Sequence, residues 1–131
     1  MKILFICKYN RFRSKVAEAI FNKLNKSLNN QARSCGIVGG LVIDENLISL
    51  CKKQGVEISN PPQGLTHQLS MWADKIIVIE DRIPRELFSE EINNDKKQVE
   101  IWAISDLRID EDERRRGVIQ EIRKRVKNLL K

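Results

Sequence analysis

The residues able to do chemistry concentrate in one stretch near the start of the chain, Cys7-Lys8-Tyr9-Asn10-Arg11-Phe12-Arg13-Ser14. A cysteine, five residues, an arginine and then a serine make an oxyanion trap when they join a strand to a helix. A loop of that length can turn its backbone N–H groups inward, where they and the helix N-terminus hold a tetrahedral dianion. Arg13 at the helix start closes the ring with a bidentate fork. Cys7, at the base of the same positive field, is aimed at phosphorus as a nucleophile, and Ser14 can hydrogen-bond its sulfur. The bland alternative is Cys7 as a buried strand residue, which leaves the spacing to Arg13 and Ser14 without a reason.

The elements needed to position this loop are legible around it. Lys2 to Ile6 is apolar at nearly every position, as a strand buried on both faces is. From about Ser14 the apolar residues Val16, Ala17, Ile20, Phe21, Leu24 and Leu28 recur at three and four, one helical stripe ended by Asn29-Asn30. Gln31 to Cys35 reads as a second strand. Asp44 is an N-cap for a helix carrying Leu47, Ile48, Leu50 and Cys51, with Gly55 at its C-terminal end. Leu65 to Ala73 forms a further amphipathic segment, and Lys75 to Ile79 a second fully apolar strand. A short helix is expected from Pro84 to Ile92, a fourth strand over Gln98 to Ile104, and a last helix on Val118, Ile119, Ile122, Val126, Leu129 and Leu130. Apolar strands alternating with amphipathic helices predict an α/β fold, a three-layer α/β/α arrangement with a four-stranded parallel sheet. In such folds chemistry sits at the carboxyl ends of the strands, here after Ile6, Cys35, Ile79 and Ile104.

Length and composition bound the function. The 131 residues suit a single domain, 1–131, with one ordinary core. No apolar run exceeds five residues and no signal-peptide pattern opens the chain, so a cytoplasmic protein is expected. Lys and Arg total 24 against 18 Asp and Glu, a net charge of +6 that suits an anionic partner. Few aromatics are available to stack bases, so nucleic acid is not the expected partner. Three cysteines and a single His67 fit neither a disulfide framework nor a metal site, so no metal or cofactor is expected.

The residues of the loop resemble those of the low-molecular-weight protein tyrosine phosphatase family, whose fold also hosts arsenate reductases. The family's Cys-x-Gly-Asn-x-Cys-Arg-Ser-Pro-x-Ala-Glu stands here as Cys7 through Glu18. Ser34-Cys35-Gly36 is similar to the family's Ser-Ala-Gly, Leu65-Thr66 to its Leu-Thr helix start, and Trp102 to Asp106 falls where the family has its acid loop. The resemblance implies that Cys7 is the nucleophile, Arg13 the phosphate clamp and Asp106 the general acid and then base. It implies that Asn10, bonded to Ser34, holds the loop backbone, that Ser14 supports the thiolate, and that Lys8, Tyr9, Arg11 and Phe12 face the substrate. The implied activity is hydrolysis of phosphomonoesters, protein phosphotyrosine above all, through a cysteinyl-phosphate, without metal.

The chain departs from the family pattern at four places. Tyr9 stands for a glycine, Phe12 for the second loop cysteine, Lys15 for a proline, and Leu107 for the proline after the acid. Two other readings stay open beside the phosphatase. One is an arsenate reductase, although the segment Ile79 to Pro84 lacks the cysteine pair of the thioredoxin-linked enzymes. The other is a non-catalytic module that binds phosphate or acidic groups. A nucleic-acid binder rests on net charge alone. Asp110, Glu111 and Asp112 offer alternative carboxylates but read as acidic capping of the last helix. His67 reads as a surface residue. Cys35, Cys51, Trp72 and Trp102 read as core, and Arg114-Arg115-Arg116 as a solvated face.

Overall fold

The computed structural model describes residues 1–39, 41–80, 85–88, 97–104 and 112–131. Strand β1 (Lys2–Cys7) is followed by helix α1 (Arg13–Leu24), β2 (Gln31–Gly36), α2 (Glu45–Lys53), α3 (His67–Trp72), β3 (Lys75–Val78), a 3₁₀ turn (Arg85–Phe88), β4 (Gln98–Ile101) and α4 (Asp112–Leu129). The boundaries of the helix expected from Pro84 to Ile92, and Asp106, Leu107, Asp110 and Glu111, lie outside the described residues.

All four strands are parallel in the order β2-β1-β3-β4. Period-two alternation divides the apolar strand residues between two faces. Ile3, Phe5 and Ile77 meet Val16, Ile20 and Phe21 of α1, Leu47 and Leu50 of α2, and Ile119, Ile122 and Val126 of α4. Leu4, Ile6, Ile76 and Val78 face the other way, onto Leu69, Ala73 and Phe88. This is the expected α/β fold, with a core on each side of the sheet. β1 leads outward to β2 on one side and β3 lies on its other side, so the order reverses between β1 and β3. The crevice beyond the carboxyl ends of those two strands is where such sheets bind ligands.

Two local expectations need correction. α1 ends at Leu24, where Asn25 caps it with its backbone N–H on the Phe21 carbonyl, so Leu28 is off the stripe and 97% exposed. Asn25 also ties the following turn through its side chain to the Ser27 and Asn30 carbonyls, an alternative to helix that asparagine offers readily. The fourth strand stops at Ile101 rather than Ile104. The Ile104 N–H turns back to the Trp102 carbonyl at 2.7 Å, a local bond that leaves the sheet ladder. Val118, Leu129 and Leu130 are partly buried and pack against the core on the expected face of the last helix. Asp44 and Gly55 behave as read. The Asp44 carboxylate accepts from the Asn46 N–H, and Gly55 follows α2 at φ +78°, a conformation favouring glycine.

Candidate active site

The loop 8–12 leaves β1 and returns into α1 around the Cys7 sulfur. Cys7 Sγ lies 3.0 Å from Ser14 Oγ and accepts from the Asn10 backbone N–H at 3.3 Å. Among the described residues Asn10 is the one non-glycine with positive φ, +56°, a region asparagine tolerates better than most residues. Its side chain is fully buried and completely used. Nδ2 donates to Ser14 Oγ at 2.7 Å and to Ser34 Oγ at 3.0 Å, and Oδ1 accepts from the Gln63 N–H at 2.8 Å. Asn10 thereby ties the loop to the end of β2 and to the segment before α3.

Gly36 makes that closeness possible. A Cβ there would sit 2.6 Å from the Tyr9 carbonyl carbon and 2.7 Å from the Asn10 nitrogen, both backbone atoms that cannot yield. Beside it the Ile37 and Val38 N–H groups donate to the Cys7 and Lys8 carbonyls. The outer side of the loop is thus bonded to its neighbour.

Helix α1 begins differently from α2 and α3. Asp44 and Thr66 cap those helices through their side chains, whereas Phe12 gives α1 no side-chain cap and its first turn holds no acidic residue. The first N–H groups of a helix are otherwise without partners and carry partial positive charge. With Arg13 in the same turn, they suit a bound anion.

Arg13 itself is 3% exposed. Its Nη1 donates to the Ile104 carbonyl at 2.9 Å, and its Nη2 lies 2.9 Å from Oε2 of the buried Glu80. The guanidinium therefore spans the crevice between the ends of β1 and β3. Beside it opens a cavity of about 120 Å³ that reaches Cys7, Arg11 and Arg13. Tyr9, Phe12 and Leu47 supply its apolar walls, and Arg115 reaches in from α4. An aromatic ring could lie along those walls while its phosphoryl group meets the loop.

Most of the residues expected at the site meet in this region. Cys7, Asn10, Ser14 and Ser34 form one hydrogen-bonded buried set, and Arg13 lines the cavity together with Cys7, Tyr9, Arg11 and Phe12. Lys8 is exposed, with its Nζ 5.2 Å from the centre of the Tyr9 ring. His67 is exposed at the start of α3. Burial pushes the Cys35 thiol up to about 12, with the nearby Cys7 and Glu18 charges acting the same way, and burial pushes Cys51 up to about 11. Both keep their expected place in the core. Among the described residues no group of three or more His, Cys, Asp or Glu side chains could hold a metal ion, and no helix is long and apolar enough to cross a membrane.

Sequence reasoning missed Glu80, Gln63 and Arg115. Glu80 carried a usable signal, a lone charge directly after the apolar run Ile76 to Ile79, at a strand end already marked as chemical. Arg115 sits in a run of three arginines whose outer members are exposed, and only the packing of α4 separates it from them.

Comparisons with known proteins place this fold and loop in a family. The family model of low molecular weight phosphotyrosine protein phosphatases matches residues 2–131, and the chain belongs to that family. A search of curated protein sequences gives no significant match. Among solved structures, an arsenate reductase from Archaeoglobus fulgidus is 27% identical, with a TM-score of 0.75 and 98% of each chain covered. The YwlE arginine phosphatase from Geobacillus stearothermophilus is 18% identical with a TM-score of 0.82, covering 98% of this chain and 90% of that one. A low molecular weight protein tyrosine phosphatase from T. tengcongensis is 24% identical with a TM-score of 0.76, covering 99% and 97%. Phosphatases and a reductase therefore share this fold, and the family makes this chain a phosphatase or a related enzyme.

Proposed function

We propose that the protein is a protein tyrosine phosphatase that hydrolyses phosphomonoesters through a cysteinyl-phosphate intermediate. The observation that carries this reading is the Cys7 sulfur, held by Ser14 Oγ and the Asn10 N–H, at a cavity it shares with Arg13. In the first step the Cys7 thiolate attacks phosphorus and the ester bond to the leaving oxygen breaks. Asp106 gives its proton to that oxygen. In the second step the Asp106 carboxylate takes a proton from water, the resulting hydroxide attacks the phosphocysteine, and thiolate and inorganic phosphate separate. Loop N–H groups and Arg13 stabilise the charge on the equatorial oxygens, the role a metal plays in other phosphoryl-transfer enzymes.

Asp106 is assigned this role from the family motif and from chain reach. The Ile104 carbonyl is held by Arg13, and two residues span at most about 7 Å. The aromatic and aliphatic walls favour an aryl leaving group. We take residues 1–131 as one catalytic unit working in the cytoplasm, where its three unpaired cysteines would stay reduced.

The test is hydrolysis of p-nitrophenyl phosphate at mildly acidic pH in the presence of chelator, with mass spectrometry of the quenched enzyme. Turnover with a phosphoryl adduct on Cys7, both lost in Cys7→Ser and in Arg13→Ala, is expected. Turnover that survives Cys7→Ser overturns the mechanism. Reduction of arsenate with thiols in place of ester hydrolysis moves the chain to the reductase reading. Phosphate binding without any turnover leaves an anion-binding module.

A further inference from the structure

We infer that Arg11 and Arg115 form a second anion subsite at the mouth of the Cys7 cavity, so that the preferred substrate is a phosphotyrosyl peptide with a carboxylate side chain next to the phosphotyrosine. This deepens the phosphatase reading and rests on it. The two residues are 104 positions apart, yet both line the cavity that holds Cys7.

The cations of the site are committed to different degrees. Arg13 is paired with Glu80 and with the Ile104 carbonyl deep in the crevice. It faces the phosphoryl group together with the loop N–H groups. Arg11 is arranged differently. Its Nε is shut away from solvent and meets no acceptor among the described residues. A buried donor without a partner is costly, and proteins seldom leave one unless something else satisfies it.

Arg115 is 26% exposed, and its ion-pair partner is Asp112, 3.7 Å away and itself 63% exposed. A long, solvated pair of that kind holds a guanidinium weakly. The base of the side chain is nonetheless fixed, because Ile119 and Ile122 bury α4 against the core. A mobile cation would steer ligands only in general terms. One mounted on a packed helix and lining the same cavity as a second arginine, Arg11, presents a fixed anion site, and arginine is the residue best shaped to fork onto a carboxylate.

The apolar walls of Tyr9, Phe12 and Leu47 would take the tyrosyl ring. An acidic side chain next to the phosphotyrosine would then reach the two guanidinia. A leaving group that carries its own positive charge, as phosphoarginine does, would be repelled.

The test compares kcat/KM for three phosphotyrosyl peptides that differ only in flanking Glu, Gln or Lys, at low and high salt. The wild type, Arg11→Gln, Arg115→Gln and the double variant are measured. Affinity of the same peptides for Cys7→Ser protein is measured in parallel by fluorescence anisotropy. At low salt the wild type should favour the Glu-flanked over the Lys-flanked peptide about fivefold, the range of one or two partly exposed charge pairs, and high salt should shrink the ratio. Each single substitution should lower the ratio and the double variant should bring it to about one. Equal rates and equal affinities for the Glu and Lys peptides overturn the subsite, as does a ratio that survives the double variant. If the wild type turns over no peptide while Cys7→Ser still binds the Glu-flanked one more tightly, the subsite stands and the hydrolase reading falls.

Discussion

Arg13 Nη2 lies 2.9 Å from Glu80 Oε2, and the two side chains, 67 positions apart, are 3% and 2% exposed. The pair closes the crevice where the strand order reverses, one partner from the start of α1 and the other from just beyond β3. The proposed phosphate clamp is therefore already charge-balanced before any ligand arrives. A buried ion pair adds little net stability, but removal of one partner leaves an uncompensated charge and costs about 3–5 kcal/mol.

That asymmetry gives the first prediction. Glu80→Gln keeps an oxygen for Arg13 but removes the charge, and should lower the melting temperature by roughly 10 °C, the equivalent of about 3 kcal/mol in a domain of this size. Inorganic phosphate then supplies the missing negative charge. It should raise the melting temperature of Glu80→Gln by more than that of the wild type, while kcat falls about tenfold because the guanidinium is less firmly held. Thermal unfolding with and without phosphate checks both halves. A smaller phosphate shift in the variant would mean that Glu80 orients Arg13 and does not balance it.

The loop network gives the second. Asn10→Ala removes three side-chain hydrogen bonds, each worth about 1 kcal/mol net, and places an alanine at φ +56°, a strain of about 1–2 kcal/mol. Destabilisation of about 4 kcal/mol is expected, together with loss of turnover, because the Asn10 N–H that faces the Cys7 sulfur moves. Asn10→Gly loses the same bonds without the strain, so it should be less destabilised by the backbone share alone. Urea unfolding of the two variants separates the contributions, and equal destabilisation would show that the backbone at Asn10 is not strained.

The α/β architecture was legible in the sequence because strands such as Lys2 to Ile6 and Lys75 to Ile79 are apolar throughout and their helices carry clean stripes. The candidate loop was legible because its residues are contiguous. What escaped was whatever depends on distant segments meeting. Glu80 finds Arg13, and Gln63 finds Asn10, only once β3 and the segment before α3 are in place. Arg115 differs from Arg114 and Arg116 only in the face of α4 it occupies. Leu28 misled for the opposite reason: its spacing continues the stripe of α1, but local bonds from Asn25 end the helix first.

The three thiols give a third prediction. At pH 8 a Cys35 group pushed up to about 12 and a Cys51 group pushed up to about 11, both chiefly by burial, hold about one thiolate in 10⁴ and one in 10³. Both side chains are also closed to solvent. Iodoacetamide should therefore label Cys7 alone in the native protein, and phosphate should protect it. Cys35 pairs in register with Ile6 and packs in the cluster with Leu4, Ile6 and Val78, while Phe12 occupies the place of the family's second loop cysteine. Peroxide should then drive Cys7 to sulfinic and sulfonic acid, with no internal disulfide and little recovery in dithiothreitol. Peptide mapping reads this directly, and a Cys7–Cys35 disulfide would contradict it.

The general acid gives the last. If Asp106 protonates the leaving oxygen, its loss should be felt in proportion to how much the leaving group needs that proton. Phenolate is a poor leaving group and p-nitrophenolate a good one. General acid catalysis is typically worth about 10² to 10⁴ in rate. Asp106→Asn should cost phenyl phosphate that factor and p-nitrophenyl phosphate much less. Asp110 lies six residues beyond the Ile104 carbonyl that Arg13 holds, compared with two for Asp106. It also falls in the acidic run leading into α4, where a carboxylate is favoured by the helix dipole. Asp110→Asn should therefore leave both substrates within about twofold and show its effect in melting temperature instead. Parallel assays of the two esters on the two variants decide the assignment. If Asp110→Asn strikes phenyl phosphate selectively while Asp106→Asn does not, the proton comes from Asp110 and not from Asp106.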